Sequence, residues 1–135
     1  MCPKCREPLI VVELHGVEVD YCLACRGTWL DAGELELITE LAGGPAGRLT
    51  AALQATTDGR TSRRRCPRCR RKMRQITVGD APAVEVERCR NGHGLWLDAG
   101  ELATLVREFT GTADDAVAKF FGDLFGSAAA ATEAV

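Results

Sequence analysis

Apolar and polar residues alternate in two matched stretches of this chain, and a helical period follows each of them. Leu9-Ile-Val-Val-Glu-Leu14 is rich in β-branched residues, His15-Gly16 has turn chemistry, and Val17-Glu-Val-Asp-Tyr21 changes face at every residue. That pattern predicts a hairpin with one half-buried face. Leu35, Ile38 and Leu41 then recur at helical spacing ahead of Gly43-Gly44, which predicts a helix to about Ala42 with those three residues turned inward. The plan returns downstream. Residues 73–78 and 83–88 flank the turn sequence Gly79-Asp-Ala-Pro82, and a second helix showing Leu102, Leu105, Val106 and Phe109 inward ends near Gly111. An internal repeat of this kind organises everything else.

Between and beyond the repeats the pattern weakens. Residues 45–62 read as a linker, within which 48–54 can form two helical turns with Leu49 and Leu53 on one side; short helices are marginal alone, so its order depends on contacts. In residues 113–135, Asp114-Asp115 is a helix start, and Val117, Phe120, Phe121, Leu124 and Phe125 form a stripe before an Ala-rich end that frays. The organisation is therefore a first unit over 1–44, a linker, a second unit over 63–112, and a C-terminal amphipathic helix.

Each unit is too short to bury a large core, and small domains replace the missing area with disulfides, metals or association. The chain holds seven Cys, an odd number, arranged mainly in C-x-x-C pairs, and no apolar leader follows Met1. These features favour a reducing interior and zinc over a disulfide framework. No run approaches the roughly 18 apolar residues of a membrane span, so the sequence reads as a soluble cytoplasmic protein. Abundant Ala, Gly and Arg suggest a bacterial chain.

The first ligand set is Cys2, Cys5, Cys22 and Cys25, and the second is Cys66, Cys69, Cys89 and His93. Both match the four-ligand tetrahedral sites of structural zinc, giving two Zn²⁺ ions as cofactors. The hairpin explains the spacing, since two strands and a turn carry the chain out and back between paired knuckles. In the second set Gly92 stands where Cys25 aligns, and His93 follows it. The alternative for His93 is a surface residue, with water completing an open and catalytic zinc. His15 reads as a turn residue. Asp31 with Glu34, and Asp98 with Glu101, have the spacing of helix capping boxes, Asp accepting backbone N–H bonds and Glu reaching back, rather than of catalytic acid and base. Trp29 and Trp96 occupy matching places and read as core between hairpin and helix rather than as platforms for bases.

Charge divides the chain. Residues 1–42 carry three basic and eight acidic side chains, net −5, whereas 60–112 carry twelve basic and six acidic, net +6. Arg60, Arg63, Arg64, Arg65, Arg68, Arg70, Arg71, Lys72 and Arg74 form the densest charge run of the chain, with no acidic residue inside it. It reads as a footprint for phosphate, as a solvated basic linker, or as the partner of the acidic first half. The Phe stripe near the C-terminus reads as docking within the protein or a dimer, because Asp114, Asp115 and Asp123 beside a single Lys119 do not suit an anionic membrane.

The pattern C-P-x-C, hairpin, C-x-x-C-x-G-x-W-L-D-x-G-E-L resembles the bacterial zinc-ribbon family named after the N-terminal zinc ribbon of transcription factor IIB. Trp29, Leu30, Asp31, Gly33, Glu34 and Leu35 carry it in the first copy; Trp96, Leu97, Asp98, Gly100, Glu101 and Leu102 do so in the second. The resemblance implies structural zinc on the seven Cys, while His93 departs from the four-cysteine pattern. The expected fold is a small metal-dominated α+β chain of two tandem zinc ribbons, each a β-hairpin between two knuckles followed by a helix, plus a C-terminal helix. The expected role is a non-enzymatic zinc adaptor binding nucleic acid or transcription proteins through the basic run. The alternatives are a protein-interaction or self-assembly module using the C-terminal helix, and a thiol redox or iron-binding protein.

Overall fold

The computed structural model of the chain describes residues 1–14, 16–45, 47–79 and 83–110. The expected C-terminal helix lies outside them, as do His15 and three residues of the second hairpin turn. The first copy contributes β1 (Ile10–Leu14), β2 (Val17–Tyr21), β3 (Thr28–Asp31) and α1 (Glu34–Leu41). After α2 (Arg48–Ala55) and β4 (Thr61–Arg65), the second copy contributes β5 (Lys72–Val78), β6 (Val84–Arg88), β7 (Gly94–Leu97) and α3 (Glu101–Thr110). Both hairpins form where alternation predicted them. Each copy also has a third strand, β3 or β7, in the short apolar stretch that read only as a lead into a helix.

Those third strands decide the architecture. All seven strands form one antiparallel sheet in the order β1-β2-β3-β7-β6-β5-β4. The copies are joined at β3 and β7, where Thr28 pairs with Leu97, Trp29 with Trp96 and Leu30 with Leu95. Equivalent tryptophans sit opposite each other in antiparallel strands, so the two copies meet about a local two-fold axis, as the subunits of an isologous dimer would.

Strand alternation sends successive side chains to opposite faces of this sheet. One face carries Val17, Val19 and Leu30 from the first copy with Ile76, Val86, Leu95 and Leu97 from the second, covered by the helices. Leu35, Ile38, Leu102, Leu105, Val106 and Phe109 are buried in that one core as their spacing predicts. Leu41 is not: it is 48% exposed, and Ala42 packs there in its place. The opposite face carries Trp29, Trp96 and Met73 packed among the cysteines.

Residues 47–62 are structured rather than a bare connection. Leu49 is buried in the shared core, and the Arg88 guanidinium donates to the carbonyl oxygens of Leu53 and Thr56 at 2.8 and 2.9 Å, satisfying the end of α2. The same guanidinium pairs with Asp58 at 2.8 Å. These contacts supply the order that a two-turn helix lacks on its own. The basic run itself begins as β4, which pairs with β5 and has no counterpart among the described residues of the first copy.

Candidate metal centres

Three knuckles share one geometry. The N–H of Arg6 donates to the Cys2 carbonyl at 2.9 Å, that of Arg26 to Cys22 at 2.7 Å, and that of Arg70 to Cys66 at 2.8 Å. Each turn ends on a left-handed Arg, with φ of 62, 62 and 64°. Inside the turns, backbone N–H groups of Lys4 and Cys5 lie 3.3 Å from the Cys2 Sγ, and that of Arg68 lies 3.3 Å from the Cys66 Sγ. Such donors stabilise a thiolate.

The fourth knuckle is tighter. Gly92 donates to the Cys89 carbonyl at 3.2 Å, one residue earlier than in the other three turns, and Gly92 itself takes the left-handed conformation at φ 75°. This shorter turn delivers His93 to the position that Cys25 fills in the first copy. Its Nδ1 stands 3.3 Å from the Cys89 Sγ.

Cys2, Cys5, Cys22 and Cys25 bring four ligand atoms within 4.8 Å of one another, and so do Cys66, Cys69, Cys89 and His93. A tetrahedral zinc with Zn–S near 2.3 Å requires sulfurs about 3.8 Å apart. The Cys2–Cys25 and Cys69–Cys89 separations are 3.6 and 3.7 Å. Both groups therefore fit zinc, and the sequence-predicted ligands are brought together in full. Burial pushes the Cys66 thiol up to about 12, whereas the Arg71 backbone N–H holds Cys69 down to about 6. A cation is what makes three or four thiolates tolerable in one site, so metal binding and proton release are coupled.

Between the centres lie the two tryptophans, both fully buried. Each lies against a glycine of the other copy. A Cβ on Gly27 would stand 2.2 Å from Trp96 Cζ2, and one on Gly94 would stand 2.9 Å from Trp29 Cζ2 and 2.1 Å from the Leu30 carbonyl. The G-x-W of each repeat is thus a socket and a knob for its twin.

The acidic residues after the tryptophans do half of what a capping box does. Glu34 Oε1 accepts from the Asp31 N–H at 2.5 Å, and Glu101 Oε1 accepts from the Asp98 N–H. The Asp side chains, however, accept from Trp and Arg side chains and from no helix N–H among the described residues. Gly33 holds the N-cap position of α1 in a left-handed conformation without a side-chain bond. Asp31 and Asp98 instead accept from the Trp29 and Trp96 indole N–H groups at 2.9 and 3.2 Å. A buried indole needs an acceptor, and these carboxylates provide it.

Those carboxylates also consume two members of the basic run. Arg68 Nε donates to Asp31 at 2.9 Å, and its terminal nitrogen reaches Asp31 and Asp20 at 2.8 and 2.9 Å, bridging the copies. Its hydrogen bonds hold the Asp31 carboxyl below the usual range. Arg64 reaches Asp98 at 2.6 Å and the mostly buried Glu87 at 3.3 Å. Asp20 with Asp31 and Glu87 with Asp98 are equivalent pairs in the repeat, so each acidic pair has captured one Arg. The acidic first half is thus the partner of Arg68, while Arg64 is paired within the second copy.

Seven cations remain. Arg60 hydrogen-bonds Gln75, Arg74 hydrogen-bonds Thr61, and Arg65 donates to the Arg70 carbonyl. Arg63, Arg70, Arg71 and Lys72 are exposed, and none of the seven has an ion-pair partner among the described residues. A groove of about 390 Å³ opens between the Cys2 and Cys66 knuckles, walled by Arg6, Arg63, Arg65 and Arg70. Arg6 comes from the acidic first copy, and composition concealed it. The one clue was that residue 6 repeats the place of residue 70, directly after a C-x-x-C.

No curated protein and no solved structure matches the chain significantly. The zinc ribbon of the TFIIB type, a transcription factor zinc-finger family, matches residues 1–41 and 65–108, which are the two metal-bearing copies described above. With both ligand sets and most of the chain inside those matches, the protein belongs to that zinc-ribbon family and carries its unit twice.

Proposed function

We propose that this zinc-binding module is a non-enzymatic adaptor that binds nucleic acid through the cations of β4, β5 and the Cys66 knuckle. One observation carries the reading. After Arg64 and Arg68 are neutralised, Arg60, Arg63, Arg65, Arg70, Arg71, Lys72 and Arg74 remain on or beside β4, β5 and the knuckle between them without acidic partners among the described residues. Arg65 even stands opposite Lys72 in the strand register. Like charges facing each other across strands are destabilising. A polyanion removes that cost when it binds, and zinc supplies the rigid frame on which the cations are spaced.

The test is a binding titration of the full zinc-loaded chain against labelled single- and double-stranded DNA and RNA. If five phosphates are neutralised, the slope of log K against log salt is about −3.5 on a single strand. No binding of any form at low salt removes the proposal and leaves the zinc centres standing. A protein partner is the second reading, favoured by β1, which has no further strand beside it among the described residues and where Val11 is 63% exposed. Unpaired strand edges accept further strands.

A further inference from the structure

We propose that the groove between the Cys2 and Cys66 knuckles seats one unit of a single-stranded nucleic acid, its phosphate held by Arg6 and Arg70 with Arg63 and Arg65. This deepens the nucleic-acid reading above and rests on it. The four guanidinium groups come from three separate parts of the chain and converge on one groove lined by no carboxylate. Among the described residues Arg6, Arg63 and Arg70 make no side-chain hydrogen bond or ion pair, and Arg65 spends one nitrogen on a backbone carbonyl.

The backbone adds an independent observation. Arg6 and Arg70 both hold a left-handed conformation, which Gly or Asn adopts at less cost than Arg. The knuckle turn needs that conformation but not that side chain, as Gly92 shows in the fourth turn. Arg26 has the same backbone without facing the groove, so the strain alone selects nothing. Strain together with convergence on one cavity does.

Shape then chooses the ligand. The groove volume falls near the lower end of ligand sites, roughly 300 to 1,000 Å³, and it is concave between two knuckles. A duplex backbone would meet only its rim. A flexible strand can turn a phosphate inward and lay a base against the apolar wall of Met1, Pro3 and Pro67, with guanidinium planes available for stacking.

The competing role for these arginines is to neutralise the zinc–thiolate centres, because Cys2 and Cys66 also line the groove. The test separates the two. Zinc-loaded wild type is compared with the double variant Arg6→Asn/Arg70→Asn, since Asn tolerates the left-handed backbone. A Lys4→Ala/Arg90→Ala variant removes equal charge from outside the groove. Probes are labelled oligo-dT, oligo-U and a duplex of equal length.

The expected result is two bound zinc ions in every variant, tighter binding of the strands than of the duplex, and a salt slope shallower by about 1.4 in the Asn variant but not in the Lys4→Ala/Arg90→Ala control. Arg63→Ala/Arg65→Ala on β4 provides the same readout away from the knuckle turns. Wild-type binding that persists with unchanged slope in both groove variants overturns the groove and spares the broader reading. Zinc loss from the Asn variant assigns these residues to the metal and overturns the proposal, as does preference for the duplex. Absence of binding by the wild type overturns the parent reading as well.

Discussion

Gly27→Ala tests whether the two zinc ribbons are one folded unit. The backbone at Gly27 lies outside the left-handed region, so Ala introduces no dihedral strain, and the consequence depends entirely on what its methyl meets. It meets the other copy: Trp96 Cζ2 at 2.2 Å, Cη2 at 2.7 Å and Cε2 at 3.1 Å. Carbon atoms in contact prefer about 3.5 to 4.0 Å, so the indole must retreat by more than about 1 Å. It has nowhere easy to go, being fully buried and hydrogen-bonded to Asp98. Overpacking of this kind costs about 1 to 3 kcal/mol. Against it stands a gain of about 0.4 to 1 kcal/mol, because Ala restricts the unfolded chain. With the ring pinned, the net loss is about 2 kcal/mol. Urea unfolding of the zinc-loaded protein, followed by tryptophan fluorescence, should show the midpoint falling by about 1 M for a slope near 2 kcal/mol per M. The sign is the discriminating feature. If the copies separated in solution, Trp96 would be absent and Gly27→Ala would leave stability unchanged or raised, which would refute the continuous sheet. Trp96→Ala in the same background should couple to Gly27→Ala by about 1 to 3 kcal/mol.

Three further outcomes follow from the same geometry. His93→Ala should reduce bound zinc from two ions to one under a mild chelator while His93→Cys retains both, measured by native mass spectrometry; two ions in His93→Ala would reinstate a water-completed site. Cys66→Ser should weaken hydrogen-exchange protection in β3 as well as β7, because the Ala32 N–H donates to the His93 carbonyl at 2.9 Å and the strands share one ladder; loss confined to the second copy would contradict this. Burial lifts Glu101 from 4.5 to about 7, so the unfolded chain ionises first and this group's contribution declines as pH rises from about 4.5 to 7, then levels. Glu101→Gln should therefore gain roughly 1 to 2 kcal/mol relative to wild type between pH 5 and 8, the full shift being discounted for solvent screening; a pH-independent difference would count against it.

Some of this was open to inspection in the chain alone. C-x-x-C spacing is a local property, since one turn of backbone places both sulfurs on one ion, and duplication made the cysteine ligands plain; His93 needed the shorter Gly92 turn, which only the structure showed. Hairpins written as alternation, and the inner face of α3, were equally local. The aspartates misled because Asp-x-x-Glu has the same spacing whether Asp caps a helix or accepts from an indole, and only the buried Trp29 and Trp96 decide between them. Arg64 and Arg68 looked like their neighbours in the run. Their difference is where β4 and a knuckle turn happen to point them.

The amino-acid sequence by itself determined which cysteines pair as candidate zinc ligands, which segments form hairpins, and that the same unit is built twice. Its information on these points is short-range: ligands, turns and periodicity act within a few residues or across one hairpin. Only the tertiary structure decided that the units share one sheet and one core, that α2 docks on it, and which arginines pair with carboxylates. Those outcomes depend on strand edges and side chains far apart in the chain finding one another. The pairing of Trp29 with Trp96 carries no local mark beyond a glycine two residues before each.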